Sequence, residues 1–143
     1  MKTLRQLLSD KKRTLAVVSP KDSVLHALQM MADHDVGALL VLDGEKLVGI
    51  FSERDYARKI ILQGKASKDT RVDEIMSDKV LYVTPERSVD ECMAIMSEKH
   101  FRHLPVLDEA QQVIGIVSIG DLVKETICEQ QFIIRQLEHY IAG

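Results

Sequence analysis

The chain has 143 residues, 45% hydrophobic and 29% charged, a composition that suits a globular protein and excludes a disordered one. At this length folding buries roughly 68–70% of the unfolded surface, so a compact domain needs neither metal nor disulfide to hold it. A net charge of −3 and a pI near 5.9 speak against a nucleic-acid partner, which calls for a basic stripe. No apolar run reaches the ~18–20 residues that span a bilayer, and no signal-type segment opens the chain, so a cytoplasmic protein without a membrane partner is expected. Cys92 and Cys128 form no metal-ligand spacing. Each falls in an apolar helical pattern and is expected to be a small buried hydrophobe in a reducing compartment.

Leu4, Leu7 and Leu8 give the first segment one apolar face, predicting a short helix that ends in Ser9-Asp10-Lys11. Lys11-Lys12-Arg13 reads as a solvated turn. After Val18-Ser19-Pro20, apolar residues at Val24, Ala27, Leu28 and Met31 keep the i, i+3, i+4, i+7 spacing of a helix, with Ser23 as its cap. Residues 38–42 and 47–51 are apolar runs too short for helices, and Asp43-Gly44 joins them as a hairpin. Gly49-Ile50-Phe51-Ser52-Glu53-Arg54-Asp55 then reads as the end of a buried strand turning into a helix.

The same order returns. Leu4, Leu7, Leu8 and Ser9-Asp10-Lys11 resemble Val72, Ile75, Met76 and Ser77-Asp78-Lys79 at an offset of 68; Val18-Ser19-Pro20 matches Val83-Thr84-Pro85 at 65. Ser88-Val89-Asp90-Glu91 is a capping box opening a helix with apolar Val89, Cys92, Met93 and Met96. Runs at 104–107 and 113–117 follow, with a longer turn, and Gly115-Ile116-Val117-Ser118-Ile119-Gly120-Asp121 repeats the strand-to-helix junction at an offset of 66. Each unit reads helix, strand, helix, strand, strand, helix, and one unit is too small to cover its own sheet, so two are expected to face each other about a pseudo-twofold axis. The last helix carries Val123, Ile127, Ile134, Leu137 and Ile141 on one face, a surface for the domain or a second subunit. Met30, Met31, Met93 and Met96 read as core filler.

Two readings fit the repeated junction. Ser52 with Asp55, and Ser118 with Asp121, can be helix caps. A capping box, however, favours Glu or Gln, whose reach exceeds that of Asp. The junction also lies at the carboxyl end of a strand and the N-terminus of a helix, where a carboxylate can accept ribose hydroxyls while Ser and free amides hold phosphate. His100 and His103, three apart where a strand begins, would face opposite ways and lack a third metal ligand, so no metal is expected. No Ser-His-Asp, Cys-His or paired-carboxylate set stands out, so no enzyme is expected.

The pattern Gly, two apolar residues, Ser, two residues, Asp, repeated with an upstream Ser/Thr-Pro and with His103-Leu104-Pro105-Val106 leading into a strand, resembles a tandem pair of cystathionine-beta-synthase (CBS) domains, the Bateman module. The resemblance covers nearly the whole chain. It implies a mixed α+β or α/β module of two pseudo-twofold-related β-α-β-β-α repeats, at 1–62 and 69–127, with a linker at 63–68 and a helical extension at 128–143. It further implies a non-catalytic, free-standing regulatory module, a homodimer acting on a separate effector protein, which binds AMP, ADP, ATP, a dinucleotide such as NAD, or S-adenosylmethionine in two clefts. Carried over, one cleft uses Ser52, Arg54 and Asp55 with Thr84, Arg102 and His103; the other uses Ser118 and Asp121 with Ser19, Val36, Gly37 and Ala38. Arg54 stands where the second copy has Gly120, so the Asp55 cleft is expected to prefer the more highly phosphorylated ligand. A structural dimerisation domain that binds nothing, and a nucleotide-acting enzyme using His103, stand as the rival readings.

Overall fold

A computed structural model describes residues 2–10 and 15–142; the basic cluster Lys11-Lys12-Arg13 lies outside the described residues. The first unit runs α1 (Leu4–Asp10), β1 (Val17–Val18), α2 (Val24–His34), β2 (Ala38–Asp43), β3 (Lys46–Ser52) and α3 (Glu53–Asp55), which continues as a π-helical turn, Tyr56–Ile61. The second runs α4 (Val72–Ile75), α5 (Val89–Lys99), β4 (His103–Leu107), β5 (Val113–Ser118) and α6 (Ile119–Ala142). This is the mixed α+β repeat expected from the periodicities.

Each unit is built on a hairpin. β2 pairs antiparallel with β3, placing Ala38 opposite Ser52, and β4 with β5, placing His103 opposite Ser118. β1 lies parallel to β2 on the far side from β3. Its counterpart is a single parallel bridge between Val83 and Val106.

Capping sets the helix boundaries. Ser23 Oγ accepts from His26 N at 3.1 Å, and Ser88 Oγ from Glu91 N at 3.1 Å while the Glu91 carboxylate takes Ser88 N. Both helices end on a left-handed residue that is not glycine, Asp35 (φ 52°) and His100 (φ 61°), equivalent positions from which the chain swings into the middle strand.

The short helices are exchanged between units. Leu4 and Leu7 of α1 are buried in the second core with Val83, Cys92, Leu104 and Leu122, whereas Val72 and Ile75 of α4 are buried in the first with Val24, Leu39, Phe51 and Ile60. Matching backbone bonds hold each exchange: Leu4 N donates to Arg87 O and Val89 N to Lys2 O, as Val72 N donates to Asp22 O and Val24 N to Thr70 O. Neither unit closes its core without the other. The polar linker is itself tied down: Leu25 N donates to Ser67 O and the buried Thr70 hydroxyl to Ala66 O at 2.7 Å.

Two expectations are corrected, and a third loses one of its two alternatives. Ser77-Asp78-Lys79 does not end a helix; α4 stops at Ile75, and Ser77 bonds Ile50 in both directions as an antiparallel bridge. Cys128 is exposed, because α6 touches the body only along the face of Leu122 and Thr126, while Cys92 is buried as expected. The apolar face of α6 packs on no core: from Gln130 to Ala142 every residue is exposed. Met31 and Met96 are core, with Met30 and Met93 packed against it.

Candidate functional site

Among the cavities between the repeats, two, of about 490 and about 500 Å³, hold the junctions and fall within the roughly 300–1,000 Å³ range of small-molecule sites. Each takes the Ser-x-x-Asp junction from one repeat and the lead-in to the middle strand from the other. The Asp55 cavity combines Ser52, Glu53, Arg54 and Asp55 with His100, Phe101, Arg102 and His103. The Asp121 cavity combines Ser118, Gly120 and Asp121 with Asp35, Val36, Gly37 and Ala38, the equivalents of 100–103. Gly37 and His103 line both.

Both junctions close as caps. Asp55 Oδ2 accepts from Ser52 N and Ser52 Oγ, each at 3.0 Å, while Asp55 N donates to Ser52 Oγ at 3.2 Å. Asp121 Oδ2 accepts from Ser118 N at 3.0 Å and Asp121 N donates to Ser118 Oγ at 3.1 Å. The shorter Asp therefore reaches the N-cap amide after all, so its length does not count against a capping role. The amides of Glu53 and Ile119 are also taken, by Gly37 O (3.1 Å) and Arg102 O (2.9 Å), which ties each helix start to the loop lining the opposite cavity wall.

The other carboxylate oxygen of Asp55 is bonded as well. Asp55 Oδ1 accepts from Ser77 Oγ at 3.2 Å and lies 3.9 Å from Lys59 Nζ, and Lys59 also donates to Ile75 O at 2.9 Å. The π-helical turn and the exchanged α4 segment thus bring a hydroxyl and an ammonium onto a carboxylate only 9% exposed.

Among the described residues the two cavities also differ in charge. Arg54, Arg58, Lys59, Lys79 and Arg102 line the Asp55 cavity against Glu53 and Asp55. Lys124 faces Asp35 and Asp121 in the other, beside the apolar wall of Leu8, Leu15, Val36, Ile114 and Ile116. Burial pushes the His103 imidazole below its ordinary value; Asp121 pulls it back up, Arg102 pushes it further down, and Glu53 raises it. Burial likewise pushes the Cys92 thiol up to about 11, leaving no nucleophile there.

Of the residues named from sequence, Ser52, Arg54, Asp55, Arg102 and His103 come together in one cavity, and Val36, Gly37, Ala38, Ser118 and Asp121 in the other. Ser19 and Thr84 line neither. Ser19 sits in its own turn, its hydroxyl accepting from Lys21 N and its carbonyl from Asp22 N, and Thr84 O accepts from Arg87 N. Lys59, Ser77 and Lys79 join the Asp55 cavity besides the residues named from sequence; for Ser77 and Lys79 the signal is the repeated Ser-Asp-Lys, which by its pattern alone reads as a helix end. Among the described residues no group of three or more His, Cys, Asp and Glu could hold a metal ion, and no helix is long and apolar enough to cross a membrane.

Fold and clefts together define a tandem-repeat α+β module with two inter-repeat cavities. The chain belongs to the CBS domain family, whose model matches residues 8–62 and again 72–127. It is 42% identical over 127 residues to the mitochondrial CBS domain-containing protein CBSX3 of Arabidopsis thaliana, covering 85% of this chain and 61% of that protein, so it spans about three fifths of that relative's length. Its structure resembles a CBS-domain protein from Burkholderia ambifaria (TM-score 0.85, 52% identity, 90% of this chain and 96% of that one) and CBSX2 in complex with AMP (TM-score 0.72, 27% identity, 91% and 99%).

Proposed function

We propose that this chain is a non-catalytic regulatory module that binds adenosine-containing ligands between its CBS repeats and passes their occupancy, as a cytoplasmic homodimer, to a separate effector protein. One observation carries the reading: two pseudo-equivalent cavities, each of nucleotide size, each pairing a Ser-x-x-Asp junction with the strand lead-in of the other repeat. A ligand there touches both repeats and so shifts their relative arrangement by its differential affinity. CBSX2, which shares the fold, is known in complex with AMP.

In the Asp55 cavity, Asp55 Oδ1 is the ribose acceptor, taking over the place now held by the Ser77 hydroxyl, and Arg54, Lys79 and Arg102 hold a phosphate chain. The ligand is ATP or ADP. In the Asp121 cavity, Ser118 and Asp121 take the ribose, Val36 to Ala38 flank the base, and the smaller number of cations among the described lining residues suits AMP or S-adenosylmethionine. NAD is the dinucleotide to test in either.

A thermal-shift series with AMP, ADP, ATP, NAD, NADH and S-adenosylmethionine tests the reading, repeated with Asp55→Asn and Asp121→Asn, which keep an oxygen for the cap. Ligand at 100 times its Kd adds about 2.7 kcal/mol, a shift of several degrees. A shift that one Asn variant abolishes supports the module and names its cleft. The second reading, a dimerisation domain binding nothing, is favoured by the fact that both Ser-Asp pairs already close as caps. It predicts no shift with any of the six compounds.

A further inference from the structure

We propose that α6 pairs with α6 of a second copy in a parallel, in-register coiled coil along the seam Val123, Ile127, Gln130, Ile134, Leu137 and Ile141. The inference rests on the homodimer reading above and names the surface that makes it. The seam spacing is 4, 3, 4, 3, 4, the a/d repeat of a coiled coil, with Ile127, Ile134 and Ile141 at a and Val123, Gln130 and Leu137 at d. β-Branched Ile at every a position, with Leu137 at d, is the combination that favours two parallel strands.

The helix is built to be covered. It has 24 residues, about 36 Å, of which only Leu122 is buried. The five apolar seam residues run from 39% exposed at Val123 to 83% at Ile141, and Ile133 and Tyr140 beside them at g widen the face at 49% and 84%. Together they expose apolar surface of the order of the roughly 800 Å² per partner that a specific interface buries, and more than a monomer ordinarily leaves in water. The body-facing residues Leu122 and Thr126, the latter bonded to Met93, flank the seam on one side, Thr126 at a g position, and leave the seam itself exposed.

Gln130 fixes the occupant and its direction. A parallel in-register pair sets Gln130 against Gln130 of the partner, where each amide can donate to the other; an antiparallel pair buries it against Ile134, unsatisfied. Facing g and e positions in the parallel pair, Thr126 with Gln131 and Ile133 with Glu138, bring no like charges together.

Light scattering of the full chain at micromolar concentration should give twice the 16.2 kDa of one chain. Ile127→Asp with Ile134→Asp should halve that mass while a cooperative thermal transition shows the body folded. A double variant that stays dimeric overturns the seam and leaves the homodimer reading standing; a monomeric wild type overturns both. Leu137→Cys in a Cys128→Ser background should cross-link to the dimer on mild oxidation, because d residues of a parallel pair face each other. A wild-type dimer whose Leu137→Cys form does not cross-link overturns the arrangement.

Discussion

A Cβ built on Gly115 would stand 2.7 Å from Cδ2 of Leu8, and one on Gly49 would stand 2.5 Å from Sδ of Met76, the residue equivalent to Leu8 in the other repeat. The glycine that opens each junction motif is therefore explained by the exchange of short helices: α1 itself and the chain leaving α4 cross the partner hairpin at that point. At Gly49 the crossing is tighter, since the same Cβ would also meet Ser77 O at 3.0 Å, a carbonyl pinned by Ile50 N. Gly49→Ala should cost about 1–3 kcal/mol and lower Tm by several degrees, whereas Gly115→Ala should cost less because the half-buried Leu8 side chain can rotate. Calorimetry that ranks the two the other way would refute this account.

The same exchange predicts one folding unit. Leu4 is fully buried in the core of the second repeat and Ile75 in that of the first. Leu4→Ala and Ile75→Ala should each cost about 2–5 kcal/mol, and each should lower the melting of the whole chain in a single transition. Two resolved transitions, one shifted and one not, would mean that the repeats fold separately.

The repeat, most of the order of elements and both Ser-x-x-Asp junctions were legible in the sequence, because hydrophobic period and capping are local signals that Ser23, Ser88 and the junctions state directly. The exchange was not legible. Leu4 and Val72 show an apolar face but not which core receives it, and that choice is made by long-range backbone bonds such as Leu4 N to Arg87 O. For the same reason Ser77 was assigned to a helix end: its role depends on Ile50 and Asp55, more than twenty residues away in sequence. Exposure of α6 beyond Thr126 was also hidden, since an amphipathic period cannot say whether the apolar face meets its own domain or another chain.

His103 should make stability depend on pH. Burial holds its folded pKa below the unfolded value of about 6.5, so the folded state binds fewer protons there. Its contribution is fully present above about pH 6.5 and is lost as pH falls from there through the folded pKa. His103→Gln removes this titration, so wild type should lose more Tm than His103→Gln between pH 7.5 and 5.5. Groups common to both proteins cancel in the difference. Equal losses would show that His103 is free to protonate in the folded state.

The charge difference between the cavities makes the sharpest demand on the functional reading. Arg54 and Arg102 line the Asp55 cavity at positions where the other cavity has Gly120 and Gly37, and neither arginine side chain takes part in the Ser52–Asp55 cap. A charge-assisted bond to phosphate is worth about 1.5–3 kcal/mol, or roughly 10- to 100-fold in affinity. Arg54→Ala and Arg102→Ala should therefore weaken ATP by that factor in calorimetric titration, weaken AMP by less, and leave melting of the free protein nearly unchanged. Lys124→Ala, in the other cavity, should leave ATP untouched. If Lys124→Ala weakens ATP while both arginine variants bind it normally, the phosphate chain belongs to the Asp121 cavity, and the surplus of cations around Asp55 serves some other partner.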